Sequence, residues 1–242
     1  MKNQLFALST YFRNNIQNWL LPNVCTLCGQ AGQGHLALCA DCHKELKFIG
    51  NACIQCSLPI EDTYTSIVCG RCMQEPPAYD RTLCLFVYET PARQLIQALK
   101  FHKKLAHARL LGTLLGLALK QREIARPDAI LPVPLSRKRL RERGFNQSLE
   151  LARPVSRALG IPIQHHLLER VRDTPPQSQL KLKERHKNIR LAFQAGQYSI
   201  PDHVAIIDDV MTSGSTCHEV ARTLKQAGAK RVDVWCVARA IK

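Results

Sequence analysis

The sequence predicts an α/β domain with a parallel sheet flanked by helices, preceded by a small Cys-rich domain. Short apolar runs alternate with longer segments of helical periodicity after about residue 77, and this alternation is typical of a parallel sheet. Before that point, eight of the eleven cysteines stand in Cys-x-x-Cys pairs. We expect three segments: an N-terminal helix over 1–22, a Cys-rich domain over 23–76 and the α/β domain over 77–242.

The N-terminal segment predicts an amphipathic helix that Pro22 ends. Its apolar side chains recur at spacings of three and four, at Leu5, Leu8, Phe12, Ile16 and Trp19. Its polar face is rich in Asn and Gln rather than Lys and Arg, which favours packing on the protein itself over a membrane or a partner. No signal peptide is visible and no stretch approaches about 18 apolar residues, so we expect a cytoplasmic protein without a transmembrane segment.

Four Cys-x-x-Cys pairs, separated by 10, 10 and 12 residues, predict structural zinc. The pairs are Cys25/Cys28, Cys39/Cys42, Cys53/Cys56 and Cys69/Cys72. Each pair places two thiolates on one face of a tight turn, and two pairs complete a tetrahedral Cys₄ site. Because this segment has few large apolar residues, bound metal is expected to supply much of its folding free energy. We expect one or two zinc ions, and sequential and cross-braced pairing both stay open.

The elements of the α/β domain follow a linker at 75–78. Strands are expected at 83–88, 129–133, 167–171, 204–207 and 232–238. Helices are expected at 91–101, 105–124, 136–159 and 215–227, with Gly228 ending the last one. The remaining cysteines fall within these elements and are expected to be buried thiols rather than ligands: Cys84, Cys217 and Cys236.

The stretch 204–216, VAIIDDVMTSGST, predicts an anion-binding site. Two carboxylates, Asp208 and Asp209, follow an apolar strand, and a turn of Gly, Ser and Thr then opens a helix. Backbone N–H groups at a helix N-terminus favour a phosphate, and Gly214 lets the backbone approach it closely. The carboxylates would repel a phosphate but suit hydroxyl groups or a cation. The ligand we expect therefore carries a phosphate next to a polyol, as a phosphorylated ribose does.

This stretch resembles the phosphoribosyl diphosphate (PRPP) signature of type I phosphoribosyltransferases. The resemblance implies that Asp208 and Asp209, as the catalytic pair, hold the ribose hydroxyls, that the turn wraps the 5′-phosphate, and that Mg²⁺ accompanies PRPP. The expected PRPP-binding residues here are Asp208, Asp209, Val210, Met211, Thr212, Ser213, Gly214, Ser215 and Thr216. The alternative is an ordinary strand, turn and helix with a serine cap.

Two basic segments are expected around this pocket. Ligands of open α/β sheets lie outside the carboxyl ends of the strands, so the segment SRKRLRERGFNQ after the strand at 129–133 should reach the same crevice. We expect Arg137, Arg139 and Arg143 to bind the diphosphate, with Lys100 as a weaker candidate. A solvated basic helix face and a nucleic-acid contact are the alternatives. The polar tract 170–193 is expected to form either a hood over the pocket or a surface loop for an acidic partner.

The order of these segments resembles the ComF family, which includes bacterial proteins linked to DNA uptake and utilisation. The segments that carry the resemblance are the Cys-x-x-Cys region, Leu99-Lys100-Phe101-His102, VPLSRKRLRERGFNQ, the Thr174…Gln177…Arg185…Asn188…Phe193 pattern and VAIIDDVMTSGST. The resemblance implies a competence-associated protein, with a role in transformation, that has a zinc-finger head and a phosphoribosyltransferase body.

The net charge of +15 and the pI of about 9.6 favour polyanionic partners. Residues 137–190 carry 14 Lys and Arg against 5 Asp and Glu. Three hypotheses follow. In the first, the protein is an enzyme that transfers phosphoribosyl from PRPP to an unidentified nucleophile. In the second, it is a module that binds single-stranded DNA through its basic surface and keeps the PRPP site as a sensor or relic, and in the third it is a zinc-held scaffold for other DNA-uptake proteins. The first two do not exclude each other, and the resemblance favours PRPP binding and DNA binding in one protein.

Overall fold

The computed structural model describes residues 23–60, 67–122, 124–173 and 189–241. The predicted N-terminal helix and most of the predicted hood lie outside these residues. Tertiary contacts divide the chain into two compact units, one ending at Leu46 and the other beginning at Lys47. Of the helices described, none is long and apolar enough to cross a membrane.

The smaller unit consists mainly of turns around the first two Cys pairs. Its one regular helix in the described residues is the short α1 (Ala40–Lys44). Cys39 caps this helix, because its Sγ accepts a hydrogen bond from the backbone N–H of Cys42 at 3.5 Å. Leu38 and Leu46 are buried, but the apolar side chains are few, as the sequence predicts for a fold held by metal.

The larger unit contains the other two Cys pairs and the α/β domain. Its helices are α2 (Gly70–Gln74), α3 (Ala92–His102), α4 (Leu105–Gln121), α5 (Arg137–Arg143), α6 (Gln147–Leu159) and α7 (Ser215–Gln226). Its strands are β1 (Arg81–Val87), β2 (Ala129–Pro132), β3 (Leu168–Arg170), β4 (Phe193–Ala195), β5 (His203–Met211) and β6 (Arg231–Arg239).

Four of these strands form a parallel sheet in the order β1-β6-β5-β2. The central strands β5 and β6 are almost continuously apolar and buried, as expected when helices cover both faces of a parallel sheet. Val220 and Leu224 of α7 share a core cluster with Ile206 and Val234 of the central strands. The predicted parallel sheet with flanking helices is confirmed.

Helices α4 and α6 pack unusually closely because α4 has glycine at the contact. A Cβ atom at Gly112 would lie 2.4 Å from a side-chain carbon of Pro154, and one at Gly116 would lie 2.9 Å from the Cβ of Ala158. Close packing of this kind fixes α6 against α4. That position matters for the site, since Ser148 lies in the first turn of α6.

The single helix predicted over 136–159 is wrong, because the structure has two helices there. Gly144 ends α5 with φ of +80°, a left-handed conformation that glycine adopts without strain. Asn146 then begins α6, and its side chain accepts a hydrogen bond from the backbone N–H of Ser148 at 3.0 Å. The break turns the basic segment back along the edge of the sheet.

Two predicted strands also differ from the structure. The strand expected at 167–171 does not join the parallel sheet, since β3 pairs with β4 in a separate antiparallel ribbon. The strand expected at 204–207 continues to Met211 as β5, because β6 pairs with it along its whole length. The two acidic residues of the signature therefore lie inside a strand rather than after one.

Candidate functional site

Asp209, near the carboxyl end of β5, is held by an ion pair with Lys100 of α3. The Lys100 Nζ lies 2.6 Å from the Asp209 Oδ2, and the carboxylate is almost fully buried. Burial acts to lower the pKa of Lys100, but the charge and hydrogen bond of Asp209, together with the charge of Asp208, outweigh it and the pKa is raised. Lys100 therefore stays charged and neutralises a buried acid. The structure places Lys100 beside the acidic pair.

Asp208 occupies a different environment from its neighbour. Its Oδ1 accepts hydrogen bonds from the Ser148 hydroxyl at 3.1 Å and from the backbone N–H of Asp209 at 2.9 Å. Burial and the adjacent negative charge of Asp209 raise the pKa of Asp208 to about 7. The two acids therefore differ in their partners: Asp209 is paired with Lys100, whereas Asp208 has a pKa in the physiological range.

The residues 212–216, which we call the phosphate turn, join β5 to α7. Gly214 takes φ of +79° as the N-cap of α7, and a Cβ atom there would lie 2.8 Å from the Tyr79 hydroxyl. The hydroxyls of Ser213 and Ser215 lie 2.7 Å apart within the turn. The first turn of α7 follows directly, and backbone N–H groups at a helix N-terminus suit an anion.

Three guanidinium groups lie at the edge of the same crevice, at Arg139, Arg143 and Arg170. Burial and the positive charge of Arg143 lower the pKa of Arg139, and burial and the positive charge of Arg139 lower the pKa of Arg170 to about 10. Asp208 acts on Arg170 in the opposite direction. Like charges gathered in a partly buried position repel one another, and a bound polyanion would relieve that repulsion. We call these three residues the diphosphate arginines.

The structure therefore brings together most of the residues that the sequence predicts for this site, with two differences. Arg137 is exposed at the start of α5, away from the half-buried positions of Arg139 and Arg143. Arg170 replaces it in the cluster and was missed, since it stands in a tract where basic residues are common and nothing local marks it. Ser148 was missed because it is 60 positions from the carboxylate to which it donates.

The eight paired cysteines form two separate Cys₄ groups. In each group the four Sγ atoms lie within 4.8 Å of one another, the first from Cys25, Cys28, Cys39 and Cys42 and the second from Cys53, Cys56, Cys69 and Cys72. The Sγ atoms of Cys28 and Cys39 are 3.6 Å apart, as are those of Cys56 and Cys69. Zinc–sulfur bonds of about 2.3 Å in a tetrahedron separate the sulfurs by about 3.8 Å, so both groups fit zinc. The pairing is sequential, and the cross-braced alternative is wrong.

The three other cysteines are buried, as predicted. Cys84, Cys217 and Cys236 are each no more than 2% exposed and lie in β1, α7 and β6. They belong to the same core cluster beneath the sheet, apart from both Cys₄ groups. The prediction that they are structural thiols rather than zinc ligands is therefore confirmed for these residues.

Comparison with known proteins agrees with this architecture. The double zinc ribbon domain family matches residues 16–84, and the phosphoribosyl transferase domain family matches residues 146–242. The DNA utilization protein YhgH of Escherichia coli O157:H7 is 36% identical over 226 residues, which are 91% of this chain and 99% of that protein. The chain belongs to the ComF family.

Other members of the ComF family are similar along nearly their whole length. Competence protein F of Haemophilus influenzae is 34% identical over 219 residues, covering 86% of this chain and 94% of that protein. Competence protein ComFC of Streptococcus pneumoniae is 25% identical over 232 residues, covering 89% and 99%. The double zinc ribbon match spans both Cys₄ groups and supports structural zinc in each. The phosphoribosyl transferase match includes the acidic pair and the phosphate turn.

Proposed function

We propose that this ComF-family protein binds PRPP together with Mg²⁺ in the crevice at the carboxyl ends of β5 and β2, and acts through that site in DNA uptake or utilisation. The observation that carries the proposal is the convergence of three chemically distinct groups at one edge of the sheet. An acidic pair, a turn at a helix N-terminus and a cluster of arginines suit, in that order, a polyol, a phosphate and a diphosphate.

The assignment of each part of PRPP follows from charge. The ribose hydroxyls donate hydrogen bonds to the carboxylates of Asp208 and Asp209, which no phosphate would approach. The 5′-phosphate lies in the phosphate turn, where backbone N–H groups and the hydroxyls of Ser213 and Ser215 donate to it. The diphosphate faces the diphosphate arginines, whose planar guanidinium groups bind its oxygens in pairs. Bound Mg²⁺ would neutralise part of the diphosphate charge.

The same arrangement would support phosphoribosyl transfer. In that reaction the bond from C1 of the ribose to the diphosphate oxygen breaks, and the diphosphate leaves with the electron pair. A bond forms from the nucleophile to C1, and the nucleophile loses a proton. The acidic pair would stabilise positive charge that develops on the ribose, and the diphosphate arginines would stabilise negative charge on the leaving group. The acceptor is a nucleophile that the sequence does not identify.

Calorimetric titration with PRPP and Mg²⁺ tests the binding site. We expect Asp208→Ala/Asp209→Ala to abolish binding. Asp202→Ala, which removes an exposed acid before β5 that pairs with Lys230, is the matched control and should bind as the wild type does. Titration of the two halves separately sharpens the test, because Arg170→Met should weaken diphosphate and spare ribose 5-phosphate. Unchanged PRPP binding in the double variant would refute the site.

Catalysis is tested by diphosphate release. PRPP, Mg²⁺ and the wild-type protein are incubated with nucleobases, amines or single-stranded DNA, and released diphosphate is measured. Release that depends on one acceptor class, and that Arg170→Met reduces, identifies an enzyme and its substrate class. Binding of PRPP without release for any acceptor favours a sensor instead.

Single-stranded DNA is a second proposed ligand, and the distribution of charge on α5 favours it. Whereas Arg139 and Arg143 are half-buried toward the crevice, Arg137, Lys138 and Arg141 of the same helix are exposed. Exposed cations of this kind bind a nucleic-acid backbone without reading its sequence. The names of the relatives link those proteins to DNA utilisation and competence, which supports a DNA ligand here.

The DNA proposal is tested by fluorescence anisotropy with an oligothymidine at several salt concentrations. We expect a dissociation constant of about 10⁻⁴–10⁻⁶ M that weakens as salt rises. Arg137→Ala/Lys138→Ala/Arg141→Ala should weaken binding and reduce the salt slope by about 2, since each contact to a single strand contributes about 0.7. The control Lys120→Ala/Arg122→Ala/Lys230→Ala removes equal charge from other exposed positions. Equal loss in both variants would show that net charge, rather than α5, determines binding.

A further inference from the structure

Arg239, the last residue of β6, is buried and makes an unusual set of contacts. Its guanidinium donates to backbone carbonyl oxygens from three separate segments of the chain. Nε donates to Cys56 at 2.8 Å, and Nη1 donates to Met211 at 3.0 Å, to Ala240 at 2.8 Å and also to Thr212. Arg239 is 2% exposed, and in the described part of the chain no carboxylate lies within ion-pair distance of it.

Two of these carbonyls belong to the start of the phosphate turn, where β5 ends. Met211 is the last residue of β5, and Thr212 is the first residue of the turn. An arginine that holds both carbonyls fixes the direction in which the chain leaves the strand. The N–H groups of the turn can then point toward a ligand, because the carbonyls are directed away to Arg239.

The third carbonyl belongs to the second Cys₄ group, which is built onto the sheet. The hydroxyl of Thr82 in β1 donates to the Gln55 carbonyl at 2.6 Å. The Ser57 hydroxyl, next to Cys56, makes two hydrogen bonds to β1. It donates to the Thr82 carbonyl at 3.1 Å and accepts from the backbone N–H of Cys84 at 3.1 Å. One cavity is lined by Cys56, Cys72, Tyr79, Ser213, Gly214 and Arg239. The metal group and the phosphate turn are thus neighbours with Arg239 between them.

The charge of the second Cys₄ group helps to explain why a buried arginine lies beside it. A buried guanidinium is stable only where hydrogen bonds and negative charge compensate it. Four thiolates outweigh the two positive charges of zinc, so a loaded second Cys₄ group is a net negative neighbour of Arg239. Metal in this group is also expected to hold the turn that contains Cys56 in place, and with it the Cys56 carbonyl to which Arg239 donates. The first Cys₄ group lies in the smaller unit.

We infer that Arg239 is a positioning residue for the phosphate turn, and that zinc in the second Cys₄ group, but not in the first, keeps it in place. The inference deepens the proposed function, on which it rests for the identity of the ligand. Loss of zinc from the second group should loosen the turn and weaken binding of a phosphorylated ligand, while the sheet itself stays folded.

Hydrogen exchange of the full-length chain, read by mass spectrometry, tests the inference without any ligand. We expect exchange of the peptide over 211–216 to be at least about tenfold faster in Arg239→Met and in Cys69→Ser/Cys72→Ser than in the wild type. The matched control Cys39→Ser/Cys42→Ser removes the equivalent ligands of the first group, and Arg231→Met removes an arginine from the other end of β6. Both controls should leave that peptide unchanged. Zinc content, measured in parallel, should fall from two to one per chain in both cysteine variants.

PRPP titration of the same proteins adds the functional measurement. We expect affinity about tenfold weaker in Arg239→Met and in the second-group variant, and within about twofold of wild type in both controls. Unchanged exchange at 211–216 in Arg239→Met and in the second-group variant overturns the inference. Equal effects of the two cysteine variants overturn it as well, because they would show a general effect of zinc.

Two further measurements keep the test decisive. If Arg239→Met raises exchange throughout α4 and α6, the variant has unfolded. In that case Arg239→Lys is used in its place, because lysine keeps the charge but cannot donate to three segments at once. Faster exchange confined to the turn in Arg239→Lys supports the positioning role, and exchange identical to wild type refutes it. If the wild type binds neither PRPP nor inorganic phosphate, the proposed function fails, and exchange of the turn still decides the role of Arg239.

Discussion

Replacement of Asp208 by asparagine is expected to stabilise the ligand-free protein while it removes PRPP binding. The amide keeps an oxygen that accepts from the Ser148 hydroxyl and from the backbone N–H of Asp209. What the substitution removes is a negative charge that the native fold holds next to Asp209. A binding residue that destabilises the empty fold is expected where a site is built for a ligand.

The magnitude follows from the pKa of Asp208, which is raised from 3.8 to about 7 by burial and by the charge of Asp209. A pKa difference of one is worth about 1.4 kcal/mol, so the full effect above pH 7 would be about 4 kcal/mol. Because Asp208 is only half-buried, solvent screening reduces it, and we expect about 2 kcal/mol. The native state holds the proton where the unfolded chain has lost it, so wild-type stability falls as pH rises from about 4 to about 7. The asparagine variant lacks this fall.

Urea unfolding at pH 5 and pH 8, with constant free zinc, measures the difference. We expect Asp208→Asn to be about 2 kcal/mol more stable than wild type at pH 8, with a smaller gain at pH 5. Asp233→Asn is the control, since Asp233 is also an acid of a central strand, on β6, but is paired with Arg231 and His203. It should be less stable than wild type at both pH values. A destabilised Asp208→Asn, or a gain independent of pH, would refute our account of the acidic pair.

Three further predictions concern the residues around the acidic pair and the metal groups. Lys100→Met leaves the buried Asp209 carboxylate without its ion-pair partner, so the free energy of unfolding, measured by urea unfolding at pH 8, should fall by about 3 kcal/mol. A loss below about 1 kcal/mol would contradict the ion pair. Gly214→Ala places a Cβ atom 2.8 Å from the Tyr79 hydroxyl at a residue with φ of +79°, so calorimetry should show binding of ribose 5-phosphate weakened at least about tenfold. The control Gly228→Ala, at a residue with φ of +116° and open space around it, should lower stability without changing that binding. Chelation should release two zinc ions per chain in a colorimetric assay, and one ion would contradict two complete Cys₄ groups.

The parts of the site that could be predicted from the sequence are those encoded in short stretches. The acidic pair and the phosphate turn lie within nine consecutive residues, where backbone conformation is set largely by the local residue types. The Cys₄ groups were also predictable, because two thiols at the spacing of a tight turn need only one other pair. Sequential pairing, however, could be chosen only once the structure brought the sulfur atoms together.

The contacts that could not be predicted join distant parts of the chain. Ser148 and Asp208 are 60 positions apart, and Arg239 and Cys56 are 183 positions apart. The local sequence around each of these side chains predicts whether its own helix or strand is buried. It does not predict which distant residue the side chain will contact. The β3–β4 ribbon was missed for a similar reason, since an apolar run gives no sign of which strand it will pair with. Arg239 does leave one signal, as a charged residue that ends an otherwise buried strand.

The two Cys₄ groups look alike in sequence, but the structure gives them unequal surroundings. The first is held within the smaller unit, whereas the second is hydrogen-bonded to β1 and, through Arg239, to the end of β5. If zinc served only to fold a separate head, loss of either ion would leave the crevice as it was. Because Arg239 donates to carbonyls of both the second group and the end of β5, zinc in the second group is expected to affect the phosphate turn. Effects of metal on ligand binding should therefore differ between the two groups.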